Sequence, residues 1–234
     1  DMLDRIEALM LSLRQVTDNI AHDLRSPLNR LRGRLEVALM TDDDCDAYRQ
    51  ALSDTVKDAD QLLQTFNALL LIGEAEAGLD RHAIGEIDLS ARVADLIELF
   101  EPAADDAGLA LAAEIAPEIT LVGNLELLSQ AFVNLLDNAI KYTPSGGRIA
   151  VKLGRETDGA VFLAVADSGP GIPASDREHV LERFVRLESC RSSPGSGLGL
   201  SLVKAVAKMH KAELALGDNL PGLIVTLRFP AQRN

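Results

Sequence analysis

The chain has 234 residues, 47% of them hydrophobic, and a formal charge of -13. That apolar content suffices for one or two cores in two unequal domains, and the acidity excludes a nucleic-acid partner, because neutralising phosphates needs a basic face. Two cysteines in unlike contexts, Cys45 and Cys190, read as reduced thiols in a cytoplasmic compartment, and no run approaches the ~20 apolar residues of a membrane span.

The chain opens in mid-helix, DMLDRIEALM, with no cap and no signal peptide, as a piece of something longer would. Ile6, Leu9, Leu13, Val16 and Ile20, and again Leu28, Leu31 and Leu35, recur at intervals of three and four, which is a helix seam. Within it NIAHDLRSPL places His22 beside Asp23 on the side away from Ile20 and Leu24, and then Pro27, which costs a helix interior roughly 3 kcal/mol. The charged turn TDDDCD follows Met40, and a second helix carries Tyr48, Leu52, Val56, Ala59, Leu63, Phe66 and Leu70 at the same spacing. Two such stripes make a helical hairpin that cannot cover itself, so two copies are expected to pack as a four-helix bundle. Residues 76–85, within and after IGEAEAGLD, lose the periodicity and read as a linker.

From residue 86 the texture is mixed. Asp88 caps a helix through about Asp106, LALAAEI is a strand, and Asn124 caps a helix ending before Pro144. GRIAVKLGR and AVFLAVAD pair around a turn near Gly159, Ser175 with Glu178 offers a capping box for a short helix, a helix runs near Leu198 to His210, and AELALG and GLIVTLRF close the chain as strands. Helices grouped on one face of a mostly antiparallel sheet predict a two-layer α/β sandwich.

Three constellations in this second domain carry chemistry. In NLLDNAIKYTP, Asn134, Asn138 and Lys141 fall on one helix face with Gln130 a turn back, while Leu128, Phe132, Leu135 and Ala139 face the sheet. Two carboxamides a turn apart suit oxygen ligation of a magnesium-phosphate unit, and the lysine is a point charge for phosphate. In DSGPGIP, Pro170 and Pro173 exclude the helix that a dinucleotide-binding loop would open, so Asp167, Gly169 and Gly171 form a strand-end loop. Its glycines allow backbone to approach a flat ligand, and Asp167 can accept from an exocyclic amine. In PGSGLGLSLVKAVAKMH, Gly195, Gly197 and Gly199 lead through Leu198 into a helix start, where free N–H groups favour phosphate. Arg186 and Arg191 lie just upstream, and no Gly-Lys-Ser/Thr ends the glycines, which excludes a P-loop.

His-Asp-Leu-Arg-Ser-Pro-Leu, Asn-x-x-x-Asn, Asp-x-Gly-x-Gly and Gly-x-Gly-x-Gly, in that order, resemble the cytoplasmic core of a two-component sensor histidine kinase. The resemblance implies a dimerisation and histidine-phosphotransfer hairpin over 1–75, with 1–16 the tail of an upstream signalling helix, and a Bergerat-type (GHKL) ATP-binding domain over 86–234. It implies ATP and magnesium as cofactors, a homodimer, a response-regulator receiver domain as partner, and a cytoplasmic location below a membrane sensor reached only through an upstream segment. By the same resemblance His22 is the phosphoacceptor, Asp23 its general base, and Ser26 stands where a hydroxyl serves dephosphorylation of the partner. Asn134 and Asn138 serve magnesium and phosphates, and Lys141 and Tyr142 line the site. Asp167, Gly169 and Gly171 hold adenine, Phe184 and Arg186 follow in ERFVRLE, and Gly195, Gly197 and Gly199 with Leu198 close as a lid beside Arg191. The chain departs from the usual pattern at Ser26, where threonine is commoner, at Asn124, where aspartate is frequent, and at Lys211-Ala212, where a glycine pair is frequent.

That chemistry accounts for the exposed His22. Phosphoryl transfer needs a neutral ring turned outward to a mobile donor, and an adjacent carboxylate orients the ring and takes its proton. Pro27 makes the helix bendable just beyond. A related GHKL ATPase would carry a glutamate to activate water where Asn134 stands, so the amide favours transfer over hydrolysis. A degenerate dimeric scaffold is the other alternative.

Overall fold

The computed structural model describes residues 28–29, 32–33, 35–37, 48–50, 52–56, 59, 63, 66, 84–187 and 197–231. The chain divides into two compact units, Asp1–Gly73 and Glu74–Asn234. In the first, every described residue is helical, on either side of the TDDDCD turn expected from the sequence. Arg32 donates to Glu36 at 2.7 Å and Gln50 to Asp54 at 3.1 Å, pairs one turn apart on an exposed helix face. No helix among the described residues is long and apolar enough to cross a membrane.

The described part of the second unit opens with strand β1 (Ile84–Asp88), whose first two residues fall in the stretch read as linker. Helix α1 (Leu89–Asp106) follows, its first turn capped by Asp88, whose carboxylate accepts from Ala91 N. Then come β2 (Ala110–Ile115), β3 (Thr120–Asn124) and α2 (Leu125–Tyr142), capped by Asn124 accepting from Leu127 N. β4 (Arg148–Arg155) and β5 (Val161–Asp167) precede the loop region; α3 (Gly199–Met209), β6 (Glu213–Asp218) and β7 (Leu223–Phe229) complete the unit. Both caps stand where the sequence puts them, because a side-chain oxygen three residues before a helical N–H satisfies an otherwise orphaned donor.

The main sheet has the order β2-β4-β5-β7-β6. Only β2 and β4 run parallel; the other neighbours are antiparallel. The register aligns Val151, Val165, Val225 and Leu216 in one row and Leu153, Leu163, Leu227 and Leu214 in the next. With a side-chain period of two, these rows give the sheet one continuous apolar face. Helix α2 covers it with Leu128, Phe132, Leu135 and Ala139, all buried as expected, and α1 and α3 pack beside it. This is the two-layer sandwich that the element pattern predicts.

Two expectations change. β1 and β3 were not legible: IGEID and TLVGN lack a run of alternating apolar residues, and they form a separate antiparallel pair, Ile84 to Asn124 through Asp88 to Thr120. Ser175 and Glu178 do not form a capping box. Single 3₁₀ turns stand at Ala174–Asp176 and His179–Leu181, without side-chain caps, and the Ser175 hydroxyl lies 3.2 Å from Asp176 Oδ1 instead. Arg177 Nε donates to Ile172 O at 3.1 Å and its guanidinium pairs with Asp218, which ties the segment to the sheet end.

Candidate functional site

Asp167 continues the series Val161, Leu163, Val165 on β5, so the period of two directs it into the layer between sheet and helices. It is 8% exposed. Oδ1 accepts from Gly169 N at 2.8 Å and Leu223 N at 3.3 Å, which leaves Oδ2 without a protein donor among the described residues. Burial pushes the carboxyl above its ordinary range, and the two N–H groups offset this only in part.

The loop after it is built by close backbone approach. A Cβ at Gly169 would lie 2.6 Å from Tyr142 O, and one at Gly171, whose φ is +71°, would lie 2.8 Å from Gly222 O. These glycines therefore seat the loop on the end of α2 and on the β6–β7 turn, a use that the sequence reading did not assign to them.

The polar face of α2 forms the second wall. Asn134 Nδ2 donates to Gln130 O at 2.8 Å, which turns the acceptor oxygen outward. The start of α3 closes on this face: a Cβ at Gly199 would sit 3.1 Å from Asn134 Oδ1 and 3.3 Å from Asn138 Nδ2. Leu198, 1% exposed, anchors that start, and its carbonyl accepts from Ser201 Oγ at 2.9 Å. Lys141 Nζ stands 4.6 Å from the centre of the Tyr142 ring, a cation–π contact at the end of α2. Phe184 N donates to Gly197 O at 3.0 Å, and half-buried Arg186 follows two residues later in sequence.

The structure thus brings together Asn134, Asn138, Leu198 and Gly199; Tyr142 joins this wall to Asp167 and Gly169. His22, Asp23, Ser26, Arg191 and Gly195 lie outside the described residues. Asn219, whose Nδ2 donates to Asp167 O at 2.7 Å, joins the site without being among the residues expected from the sequence, as do Gly222 and Leu223. Its only trace in the sequence is NLPG between two strands, which marks a turn but not what the turn holds.

No group of three His, Cys, Asp or Glu side chains able to hold a metal occurs among the described residues. A neutral carboxamide oxygen of Asn134 beside the helix start, with the Asn138 carboxamide next to it, fits a magnesium ion whose remaining ligands are phosphates and water, and these two residues would hold it.

Residues 123–233 match the family described as histidine kinase-, DNA gyrase B-, and HSP90-like ATPase, and residues 12–78 match the His Kinase A (phospho-acceptor) domain. The probable sensor protein PcoS of Escherichia coli is 33% identical over 217 residues, covering 92% of this chain and 46% of PcoS. The signal transduction histidine-protein kinase/phosphatase MprB of Mycolicibacterium paratuberculosis is 36% identical over 215 residues, 89% of this chain and 40% of that protein. A solved structure of a mycobacterial sensor histidine kinase MprB is 31% identical, with 64% of this chain and 99% of that one covered and a TM-score of 0.54. The chain spans less than half the length of PcoS and of MprB of M. paratuberculosis. Phospho-acceptor and ATPase-family domains in this order, on a fold shared with a solved sensor kinase, show that the chain belongs to the two-component sensor histidine kinases.

Proposed function

We propose that the chain transfers the γ-phosphoryl group of magnesium-ATP to its own His22 and passes it to an aspartate on the receiver domain of a response regulator. The observation that carries this reading is the convergence of the α3 start on Asn134 and Asn138, with Asp167 oriented at the other end of the same wall. In it, residues 1–75 are the phosphotransfer hairpin, 76–85 the linker and 86–234 the ATP-binding domain.

Asp167 Oδ2 accepts from the adenine amine. Gly195, Gly197, Leu198 and Gly199 close over the phosphates, and the N–H groups and dipole at the start of α3 favour anionic charge there. Lys141, Arg186 and Arg191 supply cations for the phosphate charge. Asn134 and Asn138 present oxygens to magnesium, which when bound neutralises phosphate charge. A neutral nitrogen of His22 forms the bond to phosphorus as the bond to the ADP oxygen breaks, and Asp23 takes the imidazole proton. Ser26, one turn beyond His22, orients water for hydrolysis of the partner's phospho-aspartate. The working unit is a homodimer, attached to a membrane sensor through an upstream segment.

Incubation with γ-labelled ATP and magnesium tests this. The expected product is acid-labile, alkali-stable label on the protein, absent in His22→Gln. Ser26→Ala should keep the label and slow dephosphorylation of the receiver domain; equal loss of both activities, or an unchanged phosphatase rate, rejects its role. Sustained phosphate release with no protein label would instead make the chain an ATPase.

A further inference from the structure

We propose that the β6–β7 turn is a clamp for base recognition, and that Asn219 within it is a positioning residue that sets the direction of the Asp167 carboxylate; this rests on the reading of Asp167 as the adenine acceptor. On the β7 side the β5 ladder ends at Ala166 paired with Ile224. The carbonyl of Asp167 lies one residue beyond, and Asn219 Nδ2, 52 residues away in sequence, donates to it at 2.7 Å in place of a strand N–H. The side chain is itself aimed, because Asn219 N donates to Gly222 O at 3.1 Å and closes the turn. Gly222, at φ +117°, packs so closely on Asp167 and Ser168 that a Cβ would lie 3.0 Å from Ser168 Cα. Leu223 N then reaches Asp167 Oδ1 at 3.3 Å.

The same turn holds the other end of the loop. Asp218, the residue before Asn219, pairs with Arg177, whose Nε holds Ile172 O at 3.1 Å. The segment from Asp167 to Arg177 is therefore fastened to the stretch from Asp218 to Leu223 at both ends. Oδ1 is committed to the scaffold, and Oδ2 is left pointing in one direction. A fixed acceptor favours a ligand presenting an amine over one presenting a carbonyl oxygen there, which is the difference between adenine and guanine. Releasing the clamp lets the carboxylate turn, so affinity for ATP and the preference over GTP fall together.

The test is equilibrium binding of ATP and of GTP to the full chain with magnesium, with the labelling rate at saturating ATP. Asn219→Ala should weaken ATP about tenfold, the worth of roughly one hydrogen bond, change GTP by less than about threefold, and leave the saturated rate within about twofold. Asn219→Asp, which cannot donate to the Asp167 carbonyl, should lose at least as much. Arg177→Ala acts on the clamp from another element and should lower the ATP preference in the same direction, so it decides the matter should the Asn219 variants fail to fold. ATP affinity unchanged in Asn219→Ala, or equal losses for both nucleotides, overturns the positioning role while leaving the nucleotide site standing. A wild-type chain that binds neither nucleotide overturns the site reading as well.

Discussion

Asp167 is inside the protein because of its place in a strand, and its burial has a cost. Its folded carboxyl titrates above its unfolded value, so it favours the fold at low pH and opposes it once pH has risen through the folded value, where the buried group is charged. Asp167→Asn removes that charge while its oxygen can still accept from Gly169 and Leu223 N–H groups; its amide nitrogen, however, would meet the adenine amine donor to donor. The expected result is a melting temperature equal to or above wild type at pH 7 with ATP affinity lowered more than about tenfold, and wild-type affinity should decline as acid protonates Asp167. A variant that melts earlier and binds ATP normally would make Asp167 a structural residue. Lys211 shows a second residue-scale cost. It stands at φ +56° just after α3, where its N–H donates to Lys208 O at 3.1 Å and Ala212 N donates to Ala207 O at 2.8 Å, the helix-ending pair of bonds that glycine usually serves. Lys211→Gly should therefore stabilise by about 0.5–1 kcal/mol in a thermal or denaturant melt; a destabilised variant would mean that the lysine stem contributes more by packing than its backbone costs.

Between elements, His210 joins the end of α3 to the start of α2. Its Nδ1–H donates to Val206 O at 2.8 Å, and Nε2 accepts from Asn124 N at 2.9 Å, which fixes a neutral ring. Gly123 makes room, since a Cβ there would lie 2.7 Å from His210 Cδ2. Burial outweighs the Val206 bond and lowers the imidazole below its ordinary value. The unfolded chain then takes the proton first, so this contribution is complete above about pH 6.5 and is lost as pH falls towards the folded value. Melting curves from pH 7 to 5 should show that decline in the wild type, and His210→Phe should be less stable at pH 7 but flatter with pH. An unchanged slope in the variant would assign the decline to other groups. The tie was invisible from the sequence because it spans 86 residues, whereas the Asp88 and Asn124 caps are three-residue bonds.

The helical unit exposes an apolar row that a single chain leaves uncovered. Leu52, Val56 and Leu63 are each about 60% exposed, and with Tyr48 and Phe66 they keep the spacing of a helix seam. A second copy of the chain is the proposed cover, as the sequence reading expected. Leu52→Glu with Leu63→Glu should convert the particle to a monomer in light scattering and leave ATP binding by the second unit intact. A double variant of unchanged mass, or a wild-type monomer, would remove the dimer from the proposal.

What the sequence alone determined was local. The two helix caps, the apolar side of α2, the amide pair at 134 and 138 and the glycines around Leu198 follow from spacing within a few turns, because period and capping act between neighbours. The tertiary structure decided which of these meet: Gly199 against both amides, Gly169 against the end of α2, Asn219 on the carbonyl of Asp167. It also decided the pairing of β1 with β3, two strands with too little alternation to declare themselves. Such contacts are made by backbone groups and single side chains far apart in the chain, and nothing in a residue's immediate neighbours specifies which distant donor will satisfy it.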